Sequence, residues 1–358
     1  MLQIRNKGID CVENMKGKDP YIKSIEDLSE VQKASYELIQ SDARFLYSLL
    51  IVATKKKIIN TNYVSMCLPY IGVFTDGAEQ WCKKVGLGAP RFTKTEKNYY
   101  SQLRLRHKVF EMSYQQFLSA LKEKLAESDE YFYDKRGLLE KTWGYCNVGT
   151  DVFGEEYVGN TILCALYLPE NPLTNKHVGV KIKELSVIAG KLVYFFKGNS
   201  NDSYMFNYGI KSKCIDYHFF NSCPLKNKTD FDFLLFSVLC SINYVIEFVD
   251  KFIDEEIPQK LKLAYLQYYY LCDFITDLNT NNGTHLYIND SIKNRDFRNC
   301  LAHYGLGQYL HVSDIIATDP LKGLTDKAFD MNYTETKEAL YLYLSDLVSQ
   351  IKEIIFIS

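Results

Sequence analysis

From Phe231 to the C-terminus the chain repeats one pattern four times: a capping residue, an apolar stripe at helical spacing, then a short break. A helix with one apolar face has to bury that face against another element, and short connections make its antiparallel neighbours the natural partners. The first of these helices runs from about Phe231 to Ile253, with Thr229 or Asp230 as N-cap. The second starts at Pro258, a residue suited to a first helical turn, and runs through KLKLAYLQYYYLCDFI to about Asn279. The third opens near Asp290 or Ser291 and stops at Gly305, expected to be the left-handed terminal residue. The fourth follows a loop with Asp319-Pro320. It begins at Asn332, which has Glu335 three residues on, and carries Leu340, Leu344, Leu347, Ile351 and Ile354 on one face.

The longer first part also reads as mainly helical. Ile25 to Lys57 and Lys97 to Glu127 each carry helix-period apolar positions and are expected as two long helices. Turn signals fall at Gly86-Leu87-Gly88-Ala89-Pro90 and Pro169-Glu170-Asn171-Pro172. Gly149, Gly154 and Gly159 lack the spacing of a phosphate loop and read as ordinary loop. Val178 to Lys197 fits a helix or a pair of strands. The Asn-, Ser- and Lys-rich stretch from Asn199 to Asp230 suggests a boundary. The expected fold class is therefore all-α: a mainly helical region over 1–225 and an antiparallel four-helix bundle over 226–358.

Composition narrows the function. A net charge of −2 over 358 residues gives no general attraction to nucleic acid, so any such contact has to come from a local basic site. The 28 tyrosines and 21 phenylalanines are read as packing bulk before any base-stacking platform. The ten cysteines form no C-x-x-C pair, which suits reduced thiols better than a disulfide frame or zinc site. No metal or cofactor is expected. The first twenty residues lack the apolar core of a signal peptide. The apolar run Phe233 to Ile246 is shorter than the roughly 20 residues a bilayer span needs, so it reads as a core helix. A soluble, cytoplasmic protein without membrane attachment is the expectation.

Chemistry concentrates at one place, RDFRNCLAHYGLG, on the third helix of the C-terminal set. With a turn of about 100° per residue and Phe297 at zero, Cys300, Leu301 and Tyr304 fall within about 60° of it as an apolar face. Arg298 lies at about 100°, Asn299 at about 200° and His303 at about 240°, with the small Ala302 between Arg298 and Asn299. A guanidinium can grip a phosphate with two parallel hydrogen bonds, and an imidazole can move a proton near neutral pH. An alanine on that face lets another backbone, or a phosphate, come close. Three inert residues on the outside of a surface helix are the plain alternative. Arg104 and Arg106 precede His107 too closely to repeat the pattern. Of the other histidines, His285 and His311 are near the motif in sequence, and none forms a metal-ligand spacing.

The segment resembles the signature of the HEPN superfamily, in which an arginine is followed by a polar residue and, a few positions on, a histidine. Arg298 matches the arginine, Asn299 the polar follower and His303 the histidine, with Phe297, Ala302 and Tyr304-Gly305 flanking as in that pattern. The resemblance covers about residues 226 to 358. It implies a metal-independent endoribonuclease of the kind used as a toxin or in anti-phage defence and abortive infection. It also implies RNA as substrate, a site shared by two copies in a homodimer, and an antitoxin or defence-system partner. Attack by the ribose 2′-OH would leave a 2′,3′-cyclic phosphate and a 5′-OH. His303 would be the general base or acid, Arg298 the stabiliser of phosphoryl charge, and Asn299 the residue that orients the histidine or the substrate. The competing reading is a helical module that binds RNA, a nucleotide or a partner without cutting. A purely structural role for the motif is the third.

Overall fold

The computed structural model describes residues 23–55, 61–134, 137–143, 147–168, 178–197, 204–218 and 224–356. The Pro169–Pro172 turn, the first twenty residues, His177 and Cys11, Cys146 and Cys223 lie outside the described residues.

Among the described residues the chain is mainly helical. Helix α1 (Glu30–Lys55) is followed by α2 (Thr61–Val85) and α3 (Lys94–Arg106). A single 3₁₀ turn, Val109–Glu111, then separates α3 from α4 (Tyr114–Tyr133). The long helix expected from Lys97 to Glu127 is thus broken. A fresh N-terminus is signalled at Ser113, whose hydroxyl accepts from the Gln116 amide while the Gln116 side chain accepts from the Ser113 amide. That reciprocal pair was visible in the sequence and competes with helix continuation. Val178–Lys197, open between helix and strands, is a helix.

The mainly helical fold that was expected holds, with one small sheet added to it. After a short helix, α5 (Leu138–Trp143), the chain forms β1 (Asn147–Phe153) and β2 (Glu156–Asn160). Helices α6 (Thr161–Tyr167) and α7 (Val178–Lys197) then lead to β3 (Ser212–His218), and the strands make one antiparallel sheet in the order β2-β1-β3. The glycines read as ordinary loop belong to this hairpin. Gly154 makes its turn at φ 63°, a backbone conformation open to glycine at little cost. The supposed boundary stretch supplies β3, which pairs along the whole of β1. A three-stranded sheet with one short hairpin escapes periodicity because β1 and β2 alternate only over a few residues.

In the last part the first, second and fourth expected helices start where their capping signals fall. The third starts at Arg295 behind Asn294 and not near Asp290 or Ser291, because it is the Asn294 side chain that accepts from the first free amides. Helix α8 (Asp230–Asn243) is capped by Thr229 and continues through a π turn at Tyr244–Val249. Asp230–Phe252 is long and apolar enough to cross a membrane, yet 94% of its most apolar window is buried inside this fold, which makes it a core helix here. Helix α9 (Pro258–Asn282) has proline in its first turn and ends on left-handed Gly283. The motif helix, α10 (Arg295–His303), is only nine residues long. Helix α11 (Leu324–Phe329) precedes α12 (Tyr333–Ile355), whose Asn332–Glu335 capping box is formed in full. One continuous apolar core runs from Leu28 in the first part to Ile355 in the last.

Candidate functional site

The sequence around α10 explains why the helix is short and fixed. Asn294 caps it, its side-chain oxygen accepting from the amides of Asp296 and Phe297. Its start is held to α9 by Tyr265, whose hydroxyl donates to the Ile292 carbonyl at 2.7 Å and accepts from the Asn294 amide at 2.7 Å. Phe297 is fully buried between Tyr265 and Phe329, with ring centroids 4.5 and 4.8 Å away. Burying a ring of this size stabilises by about 1.5–3 kcal/mol, so one side of α10 is anchored. The other end differs from expectation. The left-handed residue is Tyr304 at φ 54°, while Gly305 sits at φ −80°. The tyrosine accepts this strain because its ring is buried and its hydroxyl donates to Asp42 on α1 at 2.6 Å.

Cys300, Leu301 and Tyr304 are buried with Phe297, as the helical angles require. Arg298, Asn299 and His303 lie on the other side, half-buried rather than out in solvent. What covers them is the first part of the chain. A Cβ on Gly77 of α2 would stand 2.5 Å from the Ala302 carbonyl oxygen, so the two helix backbones touch at that point. The small residue at 302 does admit another backbone, and that backbone belongs to the same chain.

Arg298 is held by polar and aromatic groups, with no carboxylate among the described residues. Its Nη1 donates to Asn299 Oδ1 at 2.7 Å and its Nη2 to the Tyr270 hydroxyl of α9 at 2.6 Å. The guanidinium carbon stands 5.3 and 5.2 Å from the ring centroids of Tyr269 and Tyr270. Arg298 Nε is buried and has no hydrogen-bond partner among the described residues. A buried guanidinium N–H without an acceptor is costly, and an anionic oxygen is the natural group to satisfy it. Asn299 here holds the arginine, where orientation of the histidine or substrate was expected.

His303 ends the helix. Burial is the main cause that lowers its pKa below the ordinary value of 6.5, followed by Arg104 and Arg298; Asp76 opposes them and Lys108 adds to them. The imidazole is therefore held neutral, the form that can accept a proton. Three of those four neighbours come from the first part of the chain and were not expected at the site. Arg104 on α3 pairs with Asp76 on α2, one residue before Gly77. Lys108 follows α3, pairs with Glu111 at 2.7 Å and stands 5.9 Å from the Tyr270 ring centroid. His107, at the end of α3, packs between Tyr70 and Tyr270 with centroids 5.3 and 5.8 Å away. Burial, then Arg298, Lys108, Arg104 and Lys262, push its pKa down to about 3.

The break between α3 and α4 turns His107 and Lys108 towards α9. The available signal was the RLRHK run itself, set before a capping residue at Ser113. His285 and His311 lie in exposed loops. A cleft of about 20 Å³ behind His107, lined by Tyr70, Gln267 and Tyr270 among others, has room for a water and none for a nucleotide. A substrate would meet Arg298 and His303 from the solvent side. Among the described residues no three His, Cys, Asp or Glu side chains are grouped to hold a metal ion. No family model, no curated protein and no solved structure matches this chain.

Proposed function

We propose that the chain is a metal-independent endoribonuclease of HEPN type, with Arg298 and His303 as the reacting pair. The observation that carries this reading is the guanidinium of Arg298, which has no carboxylate partner and one buried N–H without an acceptor among the described residues, on the same short helix as an imidazole whose pKa burial lowers. A neutral histidine beside a cation without a carboxylate partner suits proton abstraction next to a phosphate.

His303 takes the proton of the ribose 2′-OH, the 2′-oxygen attacks phosphorus, and the bond to the 5′-oxygen breaks. The proton taken from the 2′-OH is the one the departing 5′-oxygen needs, so the products are a 2′,3′-cyclic phosphate and a 5′-OH with no water consumed. Arg298 stabilises the charge that builds on the non-bridging oxygens, and Asn299 and Tyr270 hold its guanidinium in place. The need for a 2′-OH makes RNA the substrate and excludes DNA.

The resemblance further implies two such helices meeting across a two-fold axis and control by an antitoxin or defence partner. Full activity from a strict monomer in sedimentation would remove the first of these. The test of the reading is cleavage of mixed RNA by purified protein in EDTA, with Arg298→Ala and His303→Ala as controls. Cleavage that needs added magnesium, or that survives both substitutions, would overturn it.

A further inference from the structure

We propose that the chain's own first part completes the anion site: Arg104 and Lys108 hold, in the same chain, the phosphate that Arg298 grips. The inference rests on the ribonuclease reading for the phosphate's identity, and on packing for its geometry.

Four contacts build the arrangement. Helices α2 and α3 lie backbone to backbone at Gly72, where a Cβ would come within 2.4 Å of the Arg104 amide nitrogen. Helices α2 and α10 touch in the same way at Gly77 and Ala302. Asp76, next to Gly77, holds the Arg104 guanidinium, so Arg104 is fixed beside the residue that precedes His303. On the other flank Lys108 stands over Tyr270, whose hydroxyl accepts from Arg298.

Charge then favours an anion. Arg104 has Asp76 and Lys108 has Glu111, but Arg298 has no carboxylate among the described residues. The cluster of three permanent cations against two carboxylates is positive on a chain whose net charge is −2. Lys108 and Glu111 are exposed enough to part, with side chains 33% and 52% accessible. Exposed ion pairs of this kind are worth little, so Lys108 can exchange Glu111 for a phosphate oxygen at small cost. A phosphate held by Arg298 from α10 and by Arg104 on α3 and Lys108 just after it is gripped from two sides. A single helix cannot do that.

The probe is inorganic phosphate, added at constant ionic strength while the His303 imidazole is followed by NMR. Saturable movement of the His303 resonance is expected, with Arg104→Gln and Lys108→Ala each weakening phosphate binding about tenfold. Asp76→Asn, which frees Arg104 and removes a negative charge, should tighten it, a change that loss of packing would not produce. If Arg104→Gln fails to fold, Lys108→Ala and Asp76→Asn still decide. Phosphate affinity within about twofold of wild type in Lys108→Ala, or weaker binding in Asp76→Asn, would overturn the proposal.

Mixing Arg104→Gln chains with inactive Arg298→Ala chains should raise RNA cleavage no higher than the Arg104→Gln chains give alone, because both residues act within one chain. Restored cleavage would show that they meet between copies and would refute the proposal. The two readings fail separately. Phosphate binding that depends on Lys108 in a protein that cuts no RNA sinks only the ribonuclease. Cleavage that depends on Arg298 and His303 with phosphate binding indifferent to Lys108 sinks only this inference.

Discussion

His303 and Tyr304 are consecutive residues, and both face helices from the first part of the chain, yet their surroundings are opposite in kind. Around Tyr304 every charge is answered. Asp42 accepts from the Tyr304 hydroxyl, from Gln259 at 2.8 Å and from the ammonium of Lys262. Lys262 is fully buried and lies 4.3 Å from the ring centroids of both Phe74 and Tyr304. Burial lowers its pKa while Asp42 holds it up. Around His303, among the described residues, Arg298, Arg104 and Lys108 are half-buried, cations outnumber carboxylates, and Arg298 keeps one N–H without an acceptor. The first set ties α1, α9 and α10 together; the second is left incomplete. A closed polar network can fix a helix end, and that fixed end lets the next residue carry an unsatisfied group without the fold giving way.

The comparison breaks most sharply at His303 and Arg298. Substituting either by Ala should lower RNA cleavage by about 10²–10⁴-fold while thermal melting changes little, because these side chains bury less than Tyr304 does. A protein that loses its fold with His303→Ala would place His303 on the structural side of the divide.

At the closed network the opposite split is expected. Asp42→Ala leaves the Lys262 ammonium buried without its partner and should cost about 3–5 kcal/mol, read by denaturant unfolding. Replacing Lys262 by Met as well should recover part of that loss, since no unpaired charge then remains. If Asp42→Ala unfolds at wild-type denaturant concentration, the network is not what fixes α10.

Gly77 joins the two regions. Gly77→Ala drives a Cβ into the Ala302 carbonyl, a backbone atom that cannot swing away, and should destabilise by about 1–3 kcal/mol. It should also lower cleavage more than its melting temperature alone accounts for, because it displaces His303 from Arg104. Unchanged activity in a folded Gly77→Ala protein would uncouple the site from α2.

A further expectation concerns pH. The folded-state pKa of His107 is about 3 against an ordinary 6.5, with Arg298, Lys108, Arg104 and Lys262 facing it. The folded protein therefore binds fewer protons than the unfolded chain between those values, so stability falls as pH drops from about 6.5 towards 3. His107→Gln should flatten that fall in melting temperature. For His303 the shift is also downward, so the acid limb of the cleavage profile should lie below pH 6.5. A limb above that value would contradict the neutral imidazole.

How much could be read in advance differs between the two parts of the chain. Thr229, Pro258 and Asn332 announce α8, α9 and α12, because caps act within a few residues and leave local marks. The motif residues Arg298, Asn299 and His303 are legible the same way, as a pattern within one short segment. The end of α10 was misread because glycine is the usual left-handed residue, and only the distant Asp42 makes Tyr304 take its place. The sheet was missed because β3 pairs with β1 across about sixty or more intervening residues. Arg104, His107 and Lys108 were passed over for a like reason: α2 and α3 bring them to His303, and no pattern within α10 points to them.

The most direct test is one cleavage assay in EDTA on a DNA oligonucleotide that contains a single ribonucleotide. A cut is expected only at the bond 3′ to that ribose, ending in a 2′,3′-cyclic phosphate and a 5′-OH, and lost with His303→Ala. A cut at deoxyribose positions, or a product with a free 3′-hydroxyl, would contradict it.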